Sequence, residues 1–216
     1  MNQSNAETIP ALLQRNIPRD LLMAVDEALM AGAQRAYSAA KGMDDGHLPH
    51  VVGQLRHFNM NESFYRALEV GNSAPTPIRG NGLVTGRAGI FTLARFNIPL
   101  GFWTNGRRSC TRRQMSFANT ALEPLTQPDM FDHYVEPAEA VAFFVSCFSG
   151  SIHNHPESPT TIQIAVPNRD MSGWLFREPL DAFQQRYESE CPIQQDRAIP
   201  TLKRKTITQE QDGGKK

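Results

Sequence analysis

The chain has few cysteines and no long apolar segment. Its three cysteines, Cys110, Cys147 and Cys191, are far apart, so a disulfide framework is not expected and a reducing compartment is the simpler interpretation. No stretch approaches the roughly 18 apolar residues that cross a bilayer. The polar start, residues 1–8, lacks the basic and apolar regions of a secretory signal. We therefore expect a cytoplasmic protein without membrane insertion.

Net charge is also absent, with 22 basic and 22 acidic residues. A global charge argument for binding nucleic acid or membrane is thereby excluded. The length of 216 residues fits one domain of ordinary size. Large apolar residues become rare after Cys191. We predict a flexible N-terminus over residues 1–17, a single globular domain over 18–190 and a disordered polar tail over 191–216.

The N-terminal half of the domain has the spacing of helices. Apolar residues recur every three or four positions over residues 19–41, which predicts a long amphipathic helix. Two shorter helices are predicted over residues 50–58 and 62–70, the second with Asn61 as its N-cap. A further helix is expected after residue 110, where Thr111 and Gln114 have the spacing of a capping box.

Strand patterns follow these helices. We predict two strands over residues 83–85 and 88–96, separated by a break at Gly86 and Arg87. Both faces of the second strand are largely apolar, as in a strand that is covered on both sides. Three more strands are predicted over residues 141–148, 161–166 and 173–177, with a helix starting at Pro179. The fold class is α/β or α+β: N-terminal helices, then a mixed sheet of about four or five strands with packed helices.

Charge of one sign is missing from each of two neighbouring segments. Residues 70–122 contain no aspartate, glutamate or lysine but seven arginines, and residues 123–168 contain six acidic residues but no lysine or arginine. The arginines are Arg79, Arg87, Arg95, Arg107, Arg108, Arg112 and Arg113. The acidic residues are Glu123, Asp129, Asp132, Glu136, Glu139 and Glu157. A neutral chain is thus divided into a basic and an acidic block.

Two interpretations of the blocks are open. In the first, the blocks fold against each other and arginines pair with carboxylates, which suits the planar guanidinium. In the second, arginines gather on one face and bind an anion or a partner. The candidate residues are Arg107, Arg108, Arg112, Arg113 and Trp103. They surround a predicted helix N-terminus, whose free N–H groups attract anions. Trp103 has either a stacking role there or a role in the core.

Catalytic motifs are missing. The chain has no phosphate-binding glycine motif, no serine nucleophile elbow and no nuclease-type Glu/Asp-x-Lys triplet. His153 and His155 are spaced closely enough to share a metal ion, with His133 as a further ligand. A polar loop explains these histidines without a metal, and we expect neither a metal nor a cofactor.

The apolar block over residues 83–96, Trp103 and the run from Arg107 to Gln114 together resemble accessory proteins of bacterial plasmids and phages. Fertility-inhibition factors, which block the transfer of a competing conjugative plasmid, are among proteins of this kind. The resemblance implies a regulator that acts on a transfer apparatus, and it assigns no functional residue.

The first functional hypothesis is therefore a non-catalytic interaction protein of a mobile genetic element that inhibits or regulates a protein target. Segregated charge favours fast and specific association. The second is a nucleic-acid-binding protein that uses the same arginines on phosphate. The third is an enzyme acting on nucleic acid. Its candidate residues are Asp129, Asp132, His133, His153 and His155.

Overall fold

The computed structural model describes residues 8–126, 137–150 and 156–188. The α-helices are α1 (Ile9–Asn16), α2 (Arg19–Ala40), α3 (Leu48–Val70), α4 (Cys110–Ser116) and α5 (Leu180–Glu188). Two 3-10 helices, Trp103–Arg108 and Phe117–Leu125, flank α4. The strands are β1 (Thr85–Ala88), β2 (Phe91–Pro99), β3 (Ala140–Phe148), β4 (Thr161–Pro167) and β5 (Trp174–Pro179). The predicted tail over residues 191–216 lies outside the described residues.

The five strands form one mixed sheet in the order β1-β2-β3-β4-β5. Neighbouring strands are antiparallel except β2 and β3, which run parallel with Phe91 opposite Ala140 and Pro99 opposite Phe148. Parallel neighbours need a crossover connection, and the two 3-10 helices and α4 belong to it. The prediction of N-terminal helices followed by a mixed sheet is confirmed, and the fold is α+β.

Both faces of the sheet are covered. On one face Leu93 and Phe144 pack with the buried sides of α1, α2, α3 and α5. On the other face Phe96 and Phe143 pack with Trp103 and other residues of the crossover. Because successive side chains of a strand point to opposite faces, β2 and β3 contribute to both cores. This confirms that the strand predicted over residues 88–96, which the structure has as β2, is covered on both sides.

The N-terminal segment differs from the predicted flexible stretch over residues 1–17. Residues 9–16 form α1, and Leu12 and Leu13 are fully buried in the helix-side core. A proline in the first turn starts this helix, where its missing N–H costs nothing. The prediction was wrong because a segment of eight residues with three buried positions carries little periodic signal, whereas burial against the sheet stabilises the helix.

Helix α3 is continuous over Leu48–Val70, although two helices were predicted there. Asn61, the predicted N-cap, lies inside α3 and is buried. Asparagine in a helix is usually a cap or exposed, so the sequence pattern favoured a break. The long helix predicted over residues 19–41 is confirmed as α2. Among the described residues, none of the helices combines the length and the apolarity needed to cross a bilayer.

The turn between β1 and β2 lies at Gly89 and Ile90, not at the predicted break at Gly86 and Arg87. Gly89 has a φ of 54°, in the left-handed region that favours glycine. A Cβ atom at Gly89 would also meet the side chain of Asn16 at 2.0 Å. Conformation and close approach together place the turn at this glycine.

The N-cap of α4 is Ser109 and not the predicted Thr111. The Ser109 hydroxyl accepts a hydrogen bond of 3.3 Å from the Arg112 N–H. The helix continues only to Ser116 and is followed by the 3-10 helix Phe117–Leu125. Ser109 and Thr111 are both residue types that favour an N-cap position, and the helix begins after Ser109, the earlier of the two.

Candidate functional site

The predicted arginine segment lies in the crossover layer, against the sheet face opposite the long helices. The first 3-10 helix contacts β2 and α4, and α4 contacts β3. The N-terminus of α4, which we expected to attract an anion, is already capped by Ser109. Whether each arginine of this segment can bind a partner therefore depends on what its own guanidinium contacts.

Arg112 is used in packing within the crossover layer. Its Nε donates to the Gly106 carbonyl at 2.9 Å, and its Nη2 donates to the Asn105 carbonyl at 3.3 Å. The guanidinium also lies 4.5 Å from the ring centroid of Phe96, a favourable cation–π distance. Burial lowers the pKa of Arg112. This arginine links α4 to the preceding 3-10 helix and is not free to bind a partner.

Trp103 likewise belongs to the core on this side. Its ring meets the ring of Trp174 edge-on at 5.1 Å, and the Arg177 guanidinium lies 4.9 Å from its centroid. Trp103 is only partly exposed and packs against the second core. Of the two roles predicted for Trp103, stacking on a partner and packing in the core, the contacts correspond to packing in the core.

The other predicted arginines, Arg107, Arg108 and Arg113, are exposed. Two exposed aromatic side chains lie in the same segment: Phe102 is 61% exposed and Phe117 is 60% exposed. Arg113 and Phe117 are four residues apart in a continuous helical segment, so they face the same way. We call these five residues the arginine–aromatic surface.

The arginines of the arginine–aromatic surface form no ion pair with a carboxylate of the described residues, although Asp170 lies within electrostatic reach of Arg107. In the described part of the chain, ion pairs are formed by other arginines: Arg19, Arg35, Arg66, Arg169 and Arg186. Hydrogen bonds from Ser172 lower the pKa of Asp170, and the charge of Arg107 contributes to this shift. Among residues 8–126, 137–150 and 156–188, no arginine of the basic block therefore forms an ion pair with a carboxylate of the acidic block. Three acids of the acidic block, Asp129, Asp132 and Glu136, lie outside those ranges.

A second set of polar residues, which sequence reasoning missed, lies between α3 and the carboxyl ends of β2 and β3. Arg95 of β2 is only 2% exposed. Its Nε donates to Asn61 Oδ1 at 2.9 Å, its Nη1 to Asn97 Oδ1 at 3.1 Å and its Nη2 to the His57 carbonyl at 3.1 Å. Burial lowers the pKa of Arg95 to about 9, which leaves the guanidinium charged at neutral pH.

Arg56 of α3 brings a second buried guanidinium to this region. It is 8% exposed, its Cζ lies 4.2 Å from the ring centroid of Phe148, and its Nη2 donates to the Pro156 carbonyl. Burial lowers the pKa of Arg56 to about 10, and nearby Tyr37 acts in the opposite direction. Burying a charge without a counter-ion costs several kcal/mol, so two such groups in one region call for an explanation.

Two buried polar atoms in this region have no hydrogen-bond partner among the described residues. They are Nε of Arg56 and Oγ of the fully buried Ser146. Ser146 lies opposite Asn97 and two residues before Phe148, on the strand face that carries the Arg56 contact. We call the set Arg56, His57, Asn61, Arg95, Asn97 and Ser146 the buried arginine cluster. The sequence feature that could have revealed this cluster was Arg95, because it is a charged residue in a strand with two apolar faces.

The metal and enzyme hypotheses fall on residues that the structure does not describe. His133, His153 and His155 lie outside the described ranges, as do Asp129 and Asp132. Within those ranges, no group of three or more histidine, cysteine or acidic residues is arranged to hold a metal ion.

The chain matches no protein-family model, no curated protein and no solved structure.

Proposed function

We propose that this chain is a non-catalytic cytoplasmic interaction protein that binds a protein target through the arginine–aromatic surface and thereby inhibits or regulates it. The observation that carries the proposal is the exposure of Arg107, Arg108 and Arg113 together with that of Phe102 and Phe117 in the same short segment of the chain, with no ion pair to a carboxylate among the described residues. Arg108 and Arg113 in particular, for which the described residues supply no carboxylate partner, are available to an acidic partner surface.

The composition of the surface supports a protein partner. Arginine and aromatic residues are enriched in protein interfaces, whereas lysine is depleted. The segment over residues 70–122 contains seven arginines and no lysine. Exposed aromatic rings supply apolar area at the centre of such an interface, and arginines supply orientation through bidentate hydrogen bonds to carboxylates.

The class of target comes from the resemblance to plasmid accessory proteins. We propose that the chain belongs to a mobile genetic element and acts on the conjugation apparatus of a competing plasmid, as fertility-inhibition factors do. Charge complementarity raises association rates and excludes unsuitable partners, which suits an inhibitor that must find its target in a crowded cytoplasm.

The test is the transfer frequency of conjugative plasmids from donor cells that do or do not produce the chain. We expect production of the wild-type chain to lower the transfer of at least one plasmid in a panel. The double variant R108E/R113E should restore transfer while the folded protein accumulates normally. The matched control R79E/R87E reverses two exposed arginines of the same basic block that lie in the loop before β1 and in β1, and it should still inhibit. Undiminished inhibition by R108E/R113E would overturn the role of this surface.

Nucleic acid is the second candidate partner, because exposed phenylalanines beside arginines can also stack on unpaired bases. Binding of the purified chain to single-stranded DNA, duplex DNA and RNA is measured at several salt concentrations. Affinity that falls steeply with salt and is lost in R108E/R113E would favour phosphate contacts. Absence of binding at low salt would favour the protein target.

A further inference from the structure

We propose that the buried arginine cluster is a binding site for a small tetrahedral oxyanion of the phosphate or sulfate type. The site lies between α3 and the carboxyl ends of the parallel strands β2 and β3. It is separate from the arginine–aromatic surface, because its side chains lie on the opposite face of the sheet.

The position of the cluster is the first argument. Strands β2 and β3 are the parallel pair of this sheet, so their carboxyl ends meet at the same edge. In open α/β sheets, ligands bind in the crevice outside the carboxyl ends of the parallel strands, and the cluster lies on the covered face of the sheet next to this edge. Asn97 and Ser146 lie opposite each other in the last part of these strands, and Arg56 covers Phe148 at the end of β3.

The charge of the cluster is the second argument. Arg56 and Arg95 are both almost fully buried, and neither forms an ion pair with a carboxylate of the described residues. The groups that contact them are carbonyls, amide oxygens and a phenyl ring. These groups accept some of the hydrogen bonds but carry no negative charge, and a bound anion would compensate the two positive charges.

The unpartnered atoms are the third argument. Arg56 Nε and Ser146 Oγ are buried and have no hydrogen-bond partner in the described part of the chain. A guanidinium can only donate, and a serine hydroxyl can donate as well. A phosphate or sulfate offers acceptor oxygens in the forked geometry that guanidinium groups match. His57 is partly exposed and Arg56 keeps 8% of its exposure, so the solvent side of the cluster is at these two residues of α3.

The proposal is tested by thermal unfolding of the full chain with inorganic phosphate, compared with chloride at equal ionic strength and fixed pH. A ligand that binds the native state raises the Tm with a saturable concentration dependence. We expect this rise for the wild-type chain with phosphate and not with chloride. In Arg56→Gln and Ser146→Ala the apparent dissociation constant for phosphate should increase by about tenfold or more, as expected for the loss of a charge-assisted hydrogen bond.

Two controls separate this site from other arginines. Arg66→Gln makes the same change at an exposed position of α3, and R108Q/R113Q alters the arginine–aromatic surface. Both should keep the phosphate response. Ser146→Ala leaves the core packing intact and removes an unpartnered hydroxyl, so its Tm in chloride should equal or exceed that of the wild type. An equal response to phosphate and chloride, or a wild-type phosphate response in Ser146→Ala, would overturn the proposal.

Discussion

Asn61 of α3 accepts a hydrogen bond of 2.9 Å from Nε of Arg95 on β2, and both side chains are 2% exposed. The contact joins the long helix to the centre of the sheet. The amide nitrogen of Asn61 also donates to the Gly82 carbonyl at 3.3 Å, in the loop before β1. One asparagine thereby connects three parts of the chain and supplies an acceptor to a buried cation.

Replacing Asn61 by alanine should destabilise the protein strongly. The change leaves Nε of a buried, charged Arg95 without its acceptor, and a buried unsatisfied group of this kind costs about 2–3 kcal/mol. The free energy of unfolding from urea titration measures the loss. Asn59→Ala on the same helix is the control, since among the described residues Asn59 Nδ2 bonds only to the Leu55 carbonyl, one turn earlier in the helix. A loss for Asn61→Ala no larger than that of the control would contradict the assigned role.

His57 should make stability depend on pH. Burial and the nearby charge of Arg95 lower its pKa, although a hydrogen bond with the backbone of Asn81 acts the other way. The unfolded chain therefore binds a proton near pH 6.5, while the folded chain does so only at lower pH. The stabilising contribution of the neutral ring is complete above about pH 6.5 and decreases as the pH falls toward the folded pKa.

The measurement is the free energy of unfolding of wild type and His57→Gln between pH 7.5 and pH 5.5. Both chains share every other titrating group, so the difference between their pH profiles isolates His57. We expect the wild type to lose more stability than the variant on acidification. Parallel profiles would show that the ring titrates equally in both states.

Asn119 should be among the most sensitive polar positions. Its Nδ2 donates to the carbonyls of Val141 and Pro167, at 3.1 and 2.8 Å, and its Oδ1 accepts from the Val141 N–H at 2.6 Å. It thus links the start of β3 to the end of β4 from within the second 3-10 helix. Asn119→Ala leaves these buried backbone groups unpaired and should cost about 3 kcal/mol in urea unfolding. Thr120→Ala, at an exposed neighbour with one local bond, should cost less than about 1 kcal/mol.

Much of the fold could be predicted because its signals are local. The apolar stripe of α2 and the buried runs of β3 and β4 follow from residues within each segment. The continuity of α3 could not be predicted, because Asn61 is satisfied by Arg95, 34 residues away in the chain. The turn at Gly89 depends on its contact with Asn16, which is even more distant in sequence.

The candidate site was predicted only in part, for a related reason. The arginine-only segment is visible in the sequence, but the fate of each arginine depends on where its backbone lies. Arg95 points into the helix-side core, Arg112 bonds to two carbonyls, and Arg113 is exposed. Composition gives all of them the same charge and does not distinguish these environments.

Two glycine-to-alanine changes should have opposite effects. Gly89→Ala forces a side chain into a φ of 54° and against Asn16, whose Oδ1 accepts the Ile90 N–H. We expect a loss of about 2 kcal/mol or more. Gly53→Ala lies within α3, where the added Cβ would meet no atom of the described residues within 4 Å apart from the local helix backbone, so it should stabilise by about 0.5–1 kcal/mol. Thermal unfolding of the two variants measures both, and a gain for Gly89→Ala would contradict the turn geometry.

Arg112 and Arg113 are adjacent, and they should respond very differently to the same change. Arg112→Gln removes two hydrogen bonds to the Asn105 and Gly106 carbonyls and the contact with the Phe96 ring. We expect a loss of about 2 kcal/mol in urea unfolding. Arg113→Gln should change stability by less than about 0.5 kcal/mol, because the side chain is exposed. Equal losses would mean that Arg113 also supports the fold, and a transfer defect of R108E/R113E would then no longer isolate binding.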